Sequence, residues 1–291
     1  MKYTNNFNLP KALLNALVND NYTGYKAGDK LPSGIDGAIS VTGLLDSPYK
    51  KYLERLYHEE LEQDVSDSVW LLLGKGVHAV LEAGAEDNDL FEERLSEVHS
   101  IKGKNISLSG AFDYYDSNKK IIQDYKATSV YVRDNKERMH EYAMQLNIYA
   151  YLLRKQGFEV TGIENVMFYK DYSKVRQNAP APVEVIKHKL YSNDEIEMFV
   201  KDRLELHFGT TPTSCTPAER WAKPDTYAVM KQGNKRAVRL FENISEAEEL
   251  ANTDSKYYVE KRQGTDGRCS DYCNCNKFCK YYQEKQRCLE I

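Results

Sequence analysis

The sequence predicts a mixed α/β fold, and two observations carry this prediction. Between about residues 93 and 129, apolar and polar residues alternate with a period of two, which is typical of strands buried on one face. Apolar residues at helical spacing precede this stretch at 66–85 and follow it at 133–157. Because helices and strands are interleaved along the chain, we expect a central mixed sheet flanked by helices.

The N-terminal part of the chain is predicted to be a leader followed by a helical cover. Residues 1–36 end in the Gly/Pro-rich stretch GYKAGDKLPSGIDG, which is typical of loosely packed chain. Residues 39–61 begin with a short strand-like run and then take on helical spacing. The helix at 66–85 that follows has Ser66 or Asp67 as its expected N-cap.

Three consecutive strands form the predicted centre of the sheet. They are 93–101, 105–116 and 119–129, and the sequence YDSNKK predicts a hairpin between the last two. The helix at 133–157 comes next, and Gly157 is its expected C-cap residue.

The core is predicted to close with two more strands and a helix. The strands are 160–173 and 182–192, and the helix at 192–209 has Ser192 or Asn193 as its expected N-cap.

From about residue 209 the character of the chain changes. A Pro/Thr-rich stretch leads to a strand-like segment at 226–241, and the chain ends in a cluster of cysteines. We therefore predict three parts, namely an N-terminal leader and helical cover at 1–65, a core at 66–208 and a C-terminal extension at 209–291.

Composition and charge restrict the class of protein. With 41% hydrophobic and 29% charged residues, the sequence is typical of a soluble globular protein, and it has no apolar run near the roughly 20 residues of a membrane span. The N-terminus lacks a signal peptide, so a cytoplasmic location is expected.

The net charge of −4 argues against a surface that is basic throughout. Residues 117–190 nevertheless hold 13 Lys/Arg against 8 Asp/Glu, and this local excess of positive charge favours an anionic ligand. The alternative is that the charges belong to ordinary solvated faces, which would give the same composition.

Three charged residues in the predicted hairpin suggest a site. Asp124 and Lys126 are two apart on one strand and so share a face, and Asp113 lies across the hairpin on the neighbouring strand. Two carboxylates on adjacent strands can converge on one hard cation such as Mg²⁺, and a lysine beside them can assist the attacking water or offset charge on a phosphate. The pattern therefore predicts phosphodiester hydrolysis, with an ordinary ion pair at a strand end as the alternative.

The segment GAFDYYDSNKKIIQDYKAT resembles the signature of the PD-(D/E)xK nuclease superfamily, in its RecB-like exonuclease branch. That branch also has a glycine-to-histidine motif on an upstream helix, matched by Gly74 and His78, and a Gln-x-x-x-Tyr motif on the next helix, matched by Gln145 and Tyr149. The ordered set of motifs spans residues 74–149. The resemblance, which extends to phage-type and CRISPR-associated adaptation nucleases, implies a restriction-endonuclease-like core.

The resemblance also implies roles for individual residues. Asp113 and Asp124 would bind a catalytic Mg²⁺ or Mn²⁺ ion, and the carbonyl of Tyr125 would add a ligand. His78 would be a further metal ligand or would position the attacking water. Lys126 would serve the nucleophile and the scissile phosphate.

Two further residues are expected to support the site. Gln145 and Tyr149 lie four apart on one helical face and would steady Lys126 or contact the DNA backbone, with plain packing as the alternative. Glu82 lies one turn after His78 and is a candidate partner for it.

The C-terminal cysteines suggest a second metal site. In a chain without a signal peptide, clustered cysteines favour metal ligation over disulfides. Some RecB-like nucleases hold an iron–sulfur cluster, but Ser47 stands where a cysteine upstream of the core would be expected. An iron–sulfur cluster or zinc, and reduced cysteines that pack against aromatic residues, stay open as alternatives. The cysteines concerned are Cys269, Cys273, Cys275 and Cys279.

These expectations combine into one predicted function. It is metal-dependent hydrolysis of DNA by an exonuclease of phage or bacterial recombination and repair. DNA is the expected partner, and recombination proteins, single-strand-binding proteins and further copies of the chain are additional candidates. The alternatives are a non-catalytic nucleic-acid-binding or assembly protein that keeps the fold, and a nuclease for RNA or branched DNA.

Overall fold

The computed structural model describes residues 2–18, 24–84, 86, 88–175 and 181–289. The chain divides into two compact units, Met1–Pro212 and Thr213–Ile291. Helices and strands are interleaved along the chain, so the predicted mixed α/β class is confirmed. No helix among the described residues is both long and apolar enough to cross a membrane.

The first unit contains ten strands and six helices within its described residues. The strands are β1 Lys2–Thr4, β2 Gly37–Ser40, β3 Glu62–Asp64, β4 Leu90–Phe91, β5 Arg94–Ile101, β6 Lys104–Ala111, β7 Tyr114–Asp116, β8 Ile121–Thr128, β9 Gly162–Tyr169 and β10 Val183–Lys187. The helices are α1 Lys11–Val18, α2 Val41–Leu45, α3 Pro48–Leu56, α4 Val69–Glu82, α5 Lys136–Lys155 and α6 Asn193–Leu204. The predicted leader includes β1, which pairs in parallel with β3.

The strands of the first unit form two main sheets where the sequence suggested one. The larger sheet has the order β10-β9-β8-β7-β4, with β8 and β9 parallel and joined through α5. The smaller sheet has the order β2-β6-β5. The predicted strand 105–116 is interrupted at Phe112 and Asp113, so that its first part belongs to the smaller sheet and its second part to the larger. Asp113 therefore lies where the chain passes from one sheet to the other.

Helix α5 lies at the centre of the hydrophobic core. Its residues from Leu146 to Leu153 are all buried, on every side of the helix. Because this part of the helix is buried on every side, it is stable only inside the protein, and α5 packs against β5, β8 and β9 as well as against α2 and α6. This burial holds α5 firmly against the strand that carries Asp124.

Two of the predicted helix boundaries are confirmed and one is wrong. Gly157 follows α5 with φ of +90°, as a C-terminal glycine in the left-handed region does. Ser192 caps α6 in a capping box with Glu195. Helix α4, however, begins after Ser68, because Ser66 and Asp67 belong to the 3-10 turn that precedes it.

Gly110 marks a close approach between β6 and its neighbours. A Cβ atom at this position would lie 2.6 Å from the Tyr149 ring and 2.7 Å from a methyl group of Val41. We expect Gly110→Ala to lower the free energy of unfolding by about 1–3 kcal/mol, because the crowded core must shift to admit a methyl group. Urea unfolding measures this effect. The matched control is Gly74→Ala, where a Cβ meets nothing within 4 Å and unfolding should not become easier.

The second unit has a small antiparallel sheet of order β12-β11-β13 and short helices. The strands are β11 Thr226–Lys231, β12 Arg239–Phe241 and β13 Tyr257–Arg262, and the helices are α7 Ile244–Ala251, α8 Gly267–Asp271 and α9 Lys280–Leu289. Strand β11 confirms the first half of the strand-like segment, and a turn separates it from β12. The cysteines from Cys269 onward lie on and around α8 and α9.

Candidate active site

Strand β8 places an acid and a lysine side by side, as its alternation predicts. The side chain of Asp124 is 2% exposed and that of Lys126 is 20% exposed. The Nζ atom of Lys126 lies 2.7 Å from Oδ2 and 3.0 Å from Oδ1 of Asp124. Burial lowers the pKa of Lys126, but the charges of Asp124 and Asp113 raise it more, and the net shift is upward. The pair is therefore a largely buried ion pair, in which the ammonium group lies between Asp124, Gln145 and the ring of Tyr142.

The second acid lies opposite this pair, at the point where β6 gives way to β7. The carboxylate of Asp113 accepts a hydrogen bond of 2.6 Å from the backbone N–H of Tyr125. Burial, and next the charge of Asp124, raise the pKa of Asp113 to about 7. Two carboxylates so placed repel each other, which is the arrangement that a bound cation relieves.

Helix α5 adds two polar side chains that reach the ion pair. The amide oxygen of Gln145 accepts a bond of 3.3 Å from Lys126, and its amide nitrogen lies 3.4 Å from Asp124. The same nitrogen donates to the hydroxyl of Tyr149 at 3.0 Å. Because Tyr149 is only 4% exposed, the geometry favours the role of steadying Lys126 through Gln145 over a contact with DNA.

Asn165, which no sequence motif indicated, also binds the carboxylate of Asp124. Asn165 is fully buried on β9, directly opposite Asp124 in the parallel pairing. Its amide nitrogen donates to Oδ2 of Asp124 at 2.8 Å, and its oxygen lies 2.7 Å from Nε2 of His188. Asn165 follows a buried strand pattern, and no local motif distinguishes it from a packing residue.

Helix α4 brings His78 to the same place. Its Nε2 atom lies 3.5 Å from Oδ2 of Asp113, and its Nδ1 atom lies 3.0 Å from a carboxylate oxygen of Glu92. Glu82, the partner expected one turn further along the helix, is exposed and has no described contact with His78. The chain returns from α4 through β4, and this path brings Glu92 to the ring of His78.

The donor set at this centre fits a hard divalent cation. Within the described residues, no group of three or more His, Cys, Asp or Glu side chains is arranged as a complete metal-binding set. Asp113 and Asp124 are nevertheless oxygen donors of the kind that Mg²⁺ and Mn²⁺ prefer, and Mg²⁺ usually keeps several water ligands. Burial, and next the charge of Asp124, disfavour an ionised Asp113, and a bound cation would offset both. The residues that the motifs predict are thus brought together, and their individual roles stay predictions.

The cysteines of the second unit form a largely buried group. Cys269, Cys275 and Cys279 are buried, whereas Cys288 is exposed. Burial raises the pKa of the Cys269 thiol to about 12, and further increases come, in decreasing order, from Cys273, Asp266, Cys215 and Cys279.

Cys215 is therefore near this group although the sequence analysis did not include it. Cys275 is one of the four predicted ligands, and its Sγ atom donates a hydrogen bond of 3.3 Å to the side-chain oxygen of Asn274. A metal at these cysteines stays a prediction.

Comparisons with known proteins identify the family of the chain. No curated protein matches the chain. Among solved structures, the chain is similar to the crystal structure of SSO0001, with 19% sequence identity and a TM-score of 0.43, over 64% of this chain and 82% of that one. The family model of the PD-(D/E)XK nuclease superfamily matches residues 50–280, most of the chain. The chain belongs to the PD-(D/E)XK nuclease superfamily.

Proposed function

We propose that this chain is a divalent-metal-dependent deoxyribonuclease that acts as an exonuclease in phage or bacterial recombination and repair. The observation that carries the proposal is the approach of Lys126 to within 2.7 Å of Asp124, beside the buried carboxylate of Asp113. Membership of the nuclease superfamily supports it independently. A protein that only bound nucleic acid would have no need for two repelling carboxylates in a protein interior, since they cost stability.

Each residue of the centre has a task in this chemistry. A Mg²⁺ or Mn²⁺ ion held by Asp113 and Asp124, with His78 and the carbonyl of Tyr125 as further ligands, would polarise the scissile phosphate and lower the pKa of the attacking water. Lys126 presents a positive charge beside this position and stabilises the negative charge that develops on the phosphate. Gln145 holds the ammonium group of Lys126 in place through its 3.3 Å hydrogen bond.

Features of the first unit support binding of a nucleic acid. Trp70 on α4 is 68% exposed, and Lys170 lies 4.7 Å from the centre of its ring. A cation on an exposed aromatic ring can contact a phosphate while the ring stacks on a base. The excess of basic residues in 117–190 is consistent with phosphate contacts that are sensitive to salt and largely independent of sequence.

The proposal includes partners and a second metal site. We place the enzyme in the cytoplasm, with recombination or single-strand-binding proteins as partners, and a closed homo-oligomer would let it remain on DNA through many turnovers. For the second unit we propose zinc or an iron–sulfur cluster at the buried cysteines, with Cys215 as an additional candidate ligand.

The test uses labelled nucleic acids of different topology. End-labelled linear DNA and closed circular DNA, each double- and single-stranded, are incubated with Mg²⁺, with Mn²⁺ or with EDTA. We expect linear DNA to shorten from its ends with either metal and to stay intact in EDTA, because the carboxylates need a cation to act on phosphate. Matched RNA and branched DNA are run beside them.

Each alternative predicts a different result. Cleavage of closed circles would make the enzyme an endonuclease. Faster cleavage of RNA or of branched DNA would change the substrate class but keep the active site. Binding of DNA without any cleavage would contradict the proposal and favour a non-catalytic binding or assembly protein.

A further inference from the structure

Glu92 has an unusual backbone conformation next to the candidate active site. It follows the short strand β4, and its φ of +50° lies in the left-handed region. Its backbone N–H donates a 3.1 Å hydrogen bond to the carbonyl oxygen of Asp113. Its side chain, which is 53% exposed, extends to Nδ1 of His78 at 3.0 Å. One residue thus contacts both the backbone of the acid and the ring of the histidine.

The left-handed backbone of Glu92 is not part of a hairpin turn. Asn8 also has a positive φ outside a hairpin, but asparagine adopts this conformation more readily than glutamate does. Lys102 and Lys120 also have positive φ values, but they lie in the turns that join β5 to β6 and β7 to β8. Glu92 lies instead between β4 and β5, which belong to different sheets. A left-handed backbone at a glutamate that no hairpin requires indicates a functional position, because such strain persists where it holds a functional side chain in place.

The shorter contact of His78 favours the tautomer that carries its proton on Nδ1. An ionised carboxylate can only accept a hydrogen bond, so at 3.0 Å from Glu92 a neutral His78 is suited to donate from Nδ1. The lone pair on Nε2 then faces the carboxylate oxygen of Asp113 at 3.5 Å. Two acceptors that face each other at this distance are suited to sharing one cation. Metal-binding histidines usually have this arrangement, in which the other nitrogen donates to a carboxylate.

We propose that Glu92 is a positioning residue, whose carboxylate fixes the orientation and tautomer of His78 so that Nε2 and Asp113 bind the divalent ion together. This proposal rests on the proposed function, since it assigns a partner to that same centre. Glu92 itself contacts His78 and not the substrate. Its effect therefore reaches the reaction through His78.

The first test measures binding of Mn²⁺ by isothermal titration calorimetry, with no nucleic acid present. We expect Glu92→Ala to weaken Mn²⁺ binding by about 10- to 100-fold, as loss of such a partner does at other metal sites. Glu92→Gln should recover most of the affinity, because its amide oxygen still accepts from Nδ1. The matched control is Glu93→Ala, which removes a neighbouring charge that is also exposed and should bind as the wild type does.

Two results of this titration would overturn the proposal. Wild-type affinity in Glu92→Ala would show that the contact does not matter for the metal. Equal losses in Glu92→Gln and Glu92→Ala would show that the negative charge of Glu92 acts directly, as a ligand does.

The second test observes the tautomer itself. Long-range ¹H–¹⁵N spectra of the metal-free protein resolve the six histidines, and His78→Ala identifies the signals of His78. We expect the Nδ1-protonated form in the wild type and in Glu92→Gln, and a mixture of tautomers in Glu92→Ala. An unchanged tautomer in Glu92→Ala would overturn the proposal. These readouts need no cleavage, so a protein that binds Mn²⁺ and leaves DNA intact would contradict the proposed function alone.

A further variant separates positioning from folding. Glu92→Gly removes the carboxylate and also relieves the left-handed backbone, so we expect its melting temperature to be no lower than that of the wild type while Mn²⁺ binding weakens. Lys102→Gly, with φ of +49°, is the matched control for the backbone effect alone. A parallel loss of melting temperature and affinity in Glu92→Gly would make Glu92 a structural residue and contradict its positioning role.

Discussion

Lys126→Met is expected to reduce DNA hydrolysis by about 100- to 1,000-fold, because it removes the preorganised positive charge beside the scissile phosphate. Methionine keeps most of the apolar stem of lysine, so the cavity is small. Lys126 lies against the ring of Tyr142 at 5.1 Å as well as against Asp124, and methionine can retain that packing. The rate constant at saturating DNA and metal measures the effect on the chemical step.

The same substitution also affects stability. Asp124 is almost completely buried, and without Lys126 its carboxylate still accepts hydrogen bonds from Asn165 and Gln145 but has lost its counter-charge. Removal of one partner of a buried ion pair costs about 3–5 kcal/mol, so unfolding in urea must be measured beside activity. The control is Lys201→Ala on α6, where an exposed lysine pairs with Glu197 and contributes little. A folded Lys126→Met protein with activity within tenfold of the wild type would show that the lysine is structural.

Asp113→Asn is expected to abolish metal-dependent cleavage and yet to stabilise the metal-free protein at neutral pH. Burial and Asp124 raise the pKa of Asp113 to about 7, compared with 3.8 for an ordinary aspartate. The folded state therefore keeps a proton that the unfolded state releases above about pH 4. It follows that this group makes the wild type less stable as the pH rises from about 4 to about 7. Asparagine cannot ionise, so the variant should gain on the order of 2 kcal/mol at pH 8.

Urea unfolding in EDTA at pH 5 and at pH 8 measures this gain, which should be larger at the higher pH. Addition of Mn²⁺ should make the wild type more stable than Asp113→Asn, because the wild type is then stabilised by binding the metal.

Asp116→Asn is the matched control. Although burial raises the pKa of Asp116, hydrogen bonds with Lys119 lower it more, so its loss should destabilise the protein. A less stable Asp113→Asn protein in EDTA at pH 8 would contradict the prediction.

The sequence by itself determined the features that depend on local geometry. Alternation along β8 placed Asp124 and Lys126 on one face, and helical spacing placed Gln145 and Tyr149 on one side of α5. Gly157 and Ser192 marked helix boundaries because capping involves only neighbouring residues. The order of these motifs was sufficient to indicate a nuclease, and the match to the superfamily confirms that relationship.

Only the tertiary structure decided which distant residues complete the centre. Asn165 reaches Asp124 because β9 pairs in parallel with β8 after the crossover through α5. Glu92 lies beside His78 because the chain folds back through β4, and Cys215 lies near cysteines that are far along the sequence. Long-range pairing and loop paths depend on how whole elements pack, and no spacing within a segment records them. The break at Asp113 has the same cause, because β6 before it pairs in the smaller sheet and β7 after it pairs in the larger one.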